Sequence, residues 1–222
     1  MDFSTQKLSL HEVIFVALLS ALNVGFSLIL SPPLKILMGH VIAGIFFMVP
    51  INFVFITFLK LLINKFGVIT LYLTMFSILT IPTTMFGGVA GIYKIIIGFV
   101  IGISLDIAFL PKKYPLKLFF GAFIGAVVWW ICLFTVWELF QLPFVTAFSN
   151  LLNSASTIFA GSLDLSAILS LPITSFSLDF FLFALICGGL SGMPCLLASL
   201  GGLGLYRAIS KTSIYDKFQQ MH

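Results

Sequence analysis

Charge is what this sequence has least of. Asp, Glu, Lys and Arg make up 8% of its 222 residues, 11 basic and 7 acidic, where a soluble globular domain carries roughly a quarter. So few charges cannot cover a folded surface in water, which excludes an ordinary soluble enzyme. The 60% share of apolar residues excludes a disordered chain. Cysteine is scarce too. Cys132, Cys187 and Cys195 all lie inside apolar runs, none in a C-x-x-C pair and none at metal-ligand spacing from a histidine. That excludes a disulfide scaffold and leaves three small buried hydrophobes. No metal and no other cofactor is expected. Catalytic signatures are missing as well. His11-Glu12 opens H-E-x-x-H, but Phe15 stands where the second histidine is needed. Ser191 follows Gly189, but Met193 replaces the closing glycine of G-x-S-x-G. No phosphate-binding G-x-x-x-x-G-K-[ST] occurs, and no basic stripe interleaved with aromatics points to nucleic acid. The chain shows no internal repeat.

What is present is apolar length. Mean hydropathy is +1.20, and Phe occurs 26 times. A helix needs about 20 apolar residues to cross the hydrocarbon core. Punctuated by Pro, Gly and Lys clusters, the sequence predicts an all-α integral membrane protein forming one domain over 1–222. Its six transmembrane helices are expected at about 11–31, 36–59, 66–85, 89–110, 116–141 and 179–206. Ser31-Pro32-Pro33 is expected to stop the first, Pro50 to kink the second and Pro82 to lie near the end of the third. The first apolar run is longer than a signal-peptide core and lacks a convincing cleavage site, so it reads as a retained helix.

The basic residues orient these spans. Cytoplasmic segments collect Lys and Arg. Six spans put Lys7, Lys60, Lys65, Lys112, Lys113, Lys117, Arg207, Lys211 and Lys217 on one side, nine of the eleven. Both termini are therefore expected in the cytoplasm, with the long segment 142–178 external between the fifth and sixth helices. The net charge of +4 is an orientation signal.

Ionisable residues within spans are costly and so are functional candidates. Lys94 is one that orientation does not explain. It falls at a similar outer depth to Lys35, His40, Trp137 and Glu138, with Tyr93 beside it and Asp179 opening the last helix. Apolar walls with a few convergent polar groups fit an outward-facing pocket. The separate alternatives are snorkelling for Lys94, an aromatic belt for Trp137, a polar helix end for His40 and N-terminal capping for Asp179. Asp106, near the inner end of the fourth span, suits a structural role, pairing with Lys112/Lys113 or capping a neighbouring helix. Small residues let membrane helices approach. Ala17, Ala21 and Gly25 form such a ladder in the first span, and Gly98 with Gly102 in the fourth.

Architecture and two short stretches resemble the substrate-binding S component of energy-coupling factor (ECF) transporters. Ala17-Leu18-Leu19-Ser20-Ala21 is similar to the family's Ala-x-x-x-Ala element. The run from Gly87-Gly88-Val89-Ala90-Gly91-Ile92-Tyr93-Lys94 to Gly98, Gly102 and Asp106 is similar to its Gly-rich fourth helix. The resemblance implies a multi-pass subunit of a prokaryotic plasma membrane, not itself an enzyme. Such a subunit captures a vitamin, vitamin precursor or similar nutrient from outside. It docks through Ala17, Ala21 and Gly25 on a membrane coupling (T) subunit energised by two cytosolic ATPases. The first external loop, 32–37, is short here, leaving the segment 142–178 as an unusual candidate lid. A second reading is an integral membrane enzyme, a lipid transferase or protease using Glu138 with Asp179. A third, a channel or self-contained transporter, lacks a polar row across the membrane and a duplicated half.

Overall fold

A backbone in an apolar surrounding must satisfy its own N–H and C=O groups, and helix does so within one segment. The computed structural model describes residues 8–38, 40–83, 85, 90–110, 114–139 and 178–212, and among these no strand occurs. The side chains of 40, 41, 114–116, 136–139 and 178–183 lie outside the description, as does the expected external segment over 142–177.

The helices are α1 (Leu10–Met38), α2 (His40–Ala43), α3 (Val49–Leu62), α4 (Val68–Thr80), α5 (Tyr93–Ala108), α6 (Tyr114–Phe119), α7 (Gly125–Leu139) and α8 (Leu178–Ile209). A π-helical turn at Gly44–Met48 joins α2 to α3, and another at Phe120–Ile124 joins α6 to α7. The described residues thus form six helical rods. Four stretches are long and apolar enough to cross a membrane: Leu10–Met38, Gly44–Leu62, Lys117–Thr135 and Ala184–Ile209. Helices α4 and α5, where the third and fourth spans are expected, have 13 and 16 residues. At 1.5 Å per residue they reach only about 20 and 24 Å.

Prolines act differently at three places. Pro82 follows the end of α4, as expected. The π turn at Gly44–Met48 runs up to Pro50, which has no N–H for the carbonyl of Phe46 four residues earlier, so the helix widens where the ordinary ladder fails. Pro32 and Pro33 do not stop α1, which continues to Met38. The segment 32–37 is therefore helix rather than the expected short loop. Its two prolines withhold bonds only from the carbonyls of Leu28 and Ile29, and membrane helices tolerate such gaps.

Contacts fix the direction of each rod. Glu12 at the start of α1 meets Lys65 after α3, Lys60 near the end of α3 meets Asp106 near the end of α5, and Lys117 meets Asn64. Thr57 bonds Ser199, while Trp130 reaches both Gly44 and Ser191, so α8 runs alongside α3 in the same sense. Successive rods therefore alternate in direction around a core centred on Phe53, Ile56, Tyr72, Ile97, Ile101 and Trp129. One end of the bundle, the α3–α4 turn end, carries Glu12, Lys60, Lys65, Asp106 and Lys117. That turn closes through Gly67 at φ 88°, a left-handed conformation suited to glycine.

The α1 helix is inside out relative to a soluble helix. It buries Glu12, Ser20, Asn23, Ser27 and Ser31 and exposes Leu18, Leu22, Phe26 and Ile29. Such a surface suits lipid contact, and the long apolar helices are compatible with a multi-pass membrane protein. Helices α4 and α5 approach closely. A Cβ on Gly98 would stand 2.5 Å from the backbone oxygen of Leu73, and one on Gly102 2.5 Å from Cα of Thr70. Both neighbours are main-chain atoms and cannot step aside. Gly102→Ala is therefore expected to cost about 1–3 kcal/mol and lower the thermal midpoint in detergent. Gly25→Ala, with nothing within 4 Å of its Cβ position, should leave that midpoint unchanged or raise it.

Candidate functional site

The expected pocket residues fall on elements that meet at the end of the bundle opposite the α3–α4 turn. Lys35 is half-buried in the last turn of α1, and His40 opens α2. Tyr93 and Lys94 begin α5, Trp137 and Glu138 lie in the last turn of α7, and Asp179 is the second residue of α8. Their backbones are thus gathered at one end. The side chains of His40, Trp137, Glu138 and Asp179 lie outside the description, and those of Lys94, Tyr93 and Lys35 lie within it.

Lys94 is fully buried. Its ammonium donates to the carbonyl oxygens of Thr80 at 2.8 Å and Thr83 at 2.5 Å. Thr80 is the last residue of α4 and Thr83 lies in the turn that follows; the Thr80 carbonyl also accepts from the N–H and hydroxyl of Thr83, so Lys94 ties the helix end and its turn together. A cation there also complements the negative end of the helix dipole. Lys94 therefore has a structural task as the fastener of α4, and its Nζ is not simply an open charge at a pocket wall. Tyr93 beside it is buried.

Twelve residues on, Asp106 does the converse. It is fully buried, and its Oδ2 accepts from the backbone N–H of Thr70 at 3.0 Å and the hydroxyl of Thr70 at 2.8 Å, at the N-terminal turn of α4. Its other oxygen pairs with Lys60 Nζ at 2.8 Å, and Lys60 also donates to the carbonyl of Lys65 at 2.8 Å. Of the two roles open to Asp106 in the sequence, capping a neighbouring helix is the one observed; its cation is Lys60. Positions 94, 98, 102 and 106 form one stripe of α5, with a cation and an anion at its ends and glycines between.

Sequence reasoning passed over two further polar groups. Glu12 accepts from the backbone N–H of Ser9 at 2.6 Å and from Lys65 Nζ at 2.9 Å, while the N–H of Glu12 donates to Ser9 Oγ at 3.3 Å. This is a capping box, and Ser9-x-x-Glu12 before an apolar run is its signature. The second lies mid-bundle. Asn23 Nδ2 donates to Asn52 Oδ1 and to the hydroxyl of Tyr72, both at 2.7 Å, and Asn52 Nδ2 donates to the carbonyl of Met48 at 2.8 Å. Two asparagines inside apolar runs were the available signal. Among the described residues no group of three or more His, Cys, Asp or Glu could hold a metal ion. A cavity of about 10 Å³, room for a single water, is lined by Thr57, Lys60, Leu61, Phe109, Lys117 and Leu118 at the α3–α4 turn end.

The expected docking ladder lies on α1. Ala21 is exposed, Ala17 and Gly25 are half-buried, and Gly25 has open space beyond it. Gly98 and Gly102, by contrast, are spent inside the bundle.

The ties to α4 set distinct stability costs. Asp106→Asn should cost about 3–5 kcal/mol, because it leaves Lys60 buried without its counter-charge. Lys94→Met should cost about 1.5–3 kcal/mol through lost charge-assisted bonds. Lys35→Ala, half-exposed at a helix end, should change little. Thermal melting in detergent followed by size-exclusion chromatography reads all three.

No protein-family model, curated protein or solved structure matches this chain.

Proposed function

We propose that this chain is the substrate-binding membrane subunit of an ECF-type importer. In this reading it captures a small water-soluble nutrient, a vitamin or vitamin precursor, from outside. A membrane coupling subunit and two cytosolic ATPases then drive its delivery inward. The observation that carries the reading is the outward face of α1. Ala17, Ala21 and Gly25 present small residues on a helix whose polar side is turned into the bundle. A coupling helix could approach closely there, on the half of α1 nearer Glu12.

Two further features support it. Successive rods alternate in direction, which suits six crossings with both termini on one side. The two short rods, α4 and α5, then need the turns and flanking segments to complete their crossings. The positive-inside rule assigns the cytoplasm to the end bearing Lys60, Lys65, Lys117 and Arg207. The opposite end, where α1, α2, α5, α7 and α8 bring Lys35, His40, Lys94, Trp137, Glu138 and Asp179, then faces outward and is the proposed ligand end. Lys35 there suits a carboxylate or phosphate, and the aromatics suit a flat ring.

The test has two arms. Mass spectrometry of the detergent-purified protein should find a stoichiometric small polar molecule, and none should be found if the chain is not a capture subunit. Ala21→Leu should abolish uptake in cells while leaving that molecule bound. Uptake equal to the unaltered protein would remove α1 as the docking face.

A further inference from the structure

Charge is unequally spent at the α3–α4 turn end. Glu12 and Asp106 are the acidic residues whose side chains are described, and both lie there. Each is taken by a lysine within the bundle, Lys65 at 2.9 Å and Lys60 at 2.8 Å. Three more cations at this end have no carboxylate among the described residues. Lys117 donates to the neutral side-chain oxygen of Asn64 at 2.9 Å. Arg207 and Lys211 are exposed, one in the last turn of α8 and one just beyond it. They are four residues apart, with Lys211 in the turn that follows the helix, so both lie at its C-terminal end. The bond from Thr57 to Ser199 holds α8 alongside α3, and Thr57 lines the same small cavity as Lys117, which places Lys117 at this end too.

The surface leading to these cations is apolar. Leu197, Leu200 and Leu205 are exposed on α8, and Gly201 and Gly204 have open space where a Cβ would stand. Helix α8 has 32 residues, about 48 Å at 1.5 Å per residue, well beyond the ~30 Å hydrocarbon core. At least one of its ends therefore reaches headgroup depth, and the first charge after its apolar run marks the C-terminal one. Arg207 ends a run that from Phe180 to Tyr206 carries no charge.

We infer that Arg207 and Lys211, with Lys117 at the same end of the bundle, hold the headgroup of an anionic phospholipid whose acyl chain lies along the exposed face of α8. The guanidinium of Arg207 matches two phosphate oxygens at once, and Lys211 adds a point charge. Selection for an anionic lipid follows from charge complementarity. A zwitterionic headgroup brings its own cation to the phosphate, whereas phosphatidylglycerol leaves the phosphate charge for the protein. Each basic residue near an anionic surface strengthens attachment by about fivefold. The competing role for Arg207 is to complement the C-terminal dipole of α8, and that role is indifferent to lipid type. The inference requires only that the chain lies in a bilayer and is independent of the import reading.

Native mass spectrometry of the full chain, released from nanodiscs of equal phosphatidylglycerol and phosphatidylcholine, tests it. The unaltered protein should retain phosphatidylglycerol preferentially. Arg207→Gln with Lys211→Gln should cut that enrichment at least tenfold without lowering the thermal midpoint, since both side chains are exposed, and Lys117→Gln should cut it by a few fold. Equal retention of both lipids, or unchanged enrichment in the double variant, overturns the assignment. So does loss of the enrichment to millimolar inorganic phosphate, which would mark a site for the free ion.

Discussion

The structure depends on how α5 holds α4. A 13-residue apolar helix with unsatisfied termini is a poor element inside a bundle, because its end N–H and C=O groups have no water to turn to. One stripe of α5 answers at both ends. Lys94 takes the carbonyls of Thr80 and Thr83, and Asp106 takes the N–H and hydroxyl of Thr70. The glycines between them, at 98 and 102, let the two helices come close enough for both reaches. The antiparallel arrangement gives the charges their correct sense, anion at the N-terminus and cation at the C-terminus. Lys60 then balances Asp106 and ties α3 to the pair.

From this constraint follows a bundle with two unlike ends and a polar interior. At the α3–α4 turn end, ion pairs and the hydrogen bonds of Asp106 to Thr70 bind side chains of α1, α3, α4 and α5. In mid-bundle, Asn23, Asn52 and Tyr72 join α1, α3 and α4. At the other end, apart from the bonds of Lys94, the ionisable residues sit on helix termini that converge from five helices. A transport subunit of the proposed kind needs this asymmetry: a consolidated cytoplasmic end, an outer end able to admit a ligand, and a side face open to a coupling partner.

Much of the fold was legible because apolar run length and proline, glycine and lysine punctuation speak directly to helices in lipid. The rod from the start of α6 to the end of α7, and α8, fall close to the expected 116–141 and 179–206. Pro32-Pro33 misled because a proline removes one bond rather than forbidding a helix, and α1 runs on to Met38. The site was less legible. The isolation of Lys94 and Asp106 as costly charges could be read from the sequence. Their partners could not, because Thr80 and Thr83 offer backbone carbonyls and Thr70 a backbone N–H, groups every residue has. The pairing of Lys60 with Asp106 joins positions 46 apart, and only the packing of α3 against the start of α4 brings them within reach. Lys60 looked like a loop cation obeying the positive-inside rule, yet it is 2% exposed.

The account turns on the two ends of the bundle lying on opposite sides of a membrane, with the Lys94 end outward. Single cysteines placed at Lys35 and Lys211, in a chain whose three native cysteines are replaced, read this directly with a membrane-impermeant maleimide on intact cells. The account predicts that position 35 is labelled from outside and that position 211 is labelled only after permeabilisation. Labelling of both from the same side, or of 211 alone from outside, would contradict it.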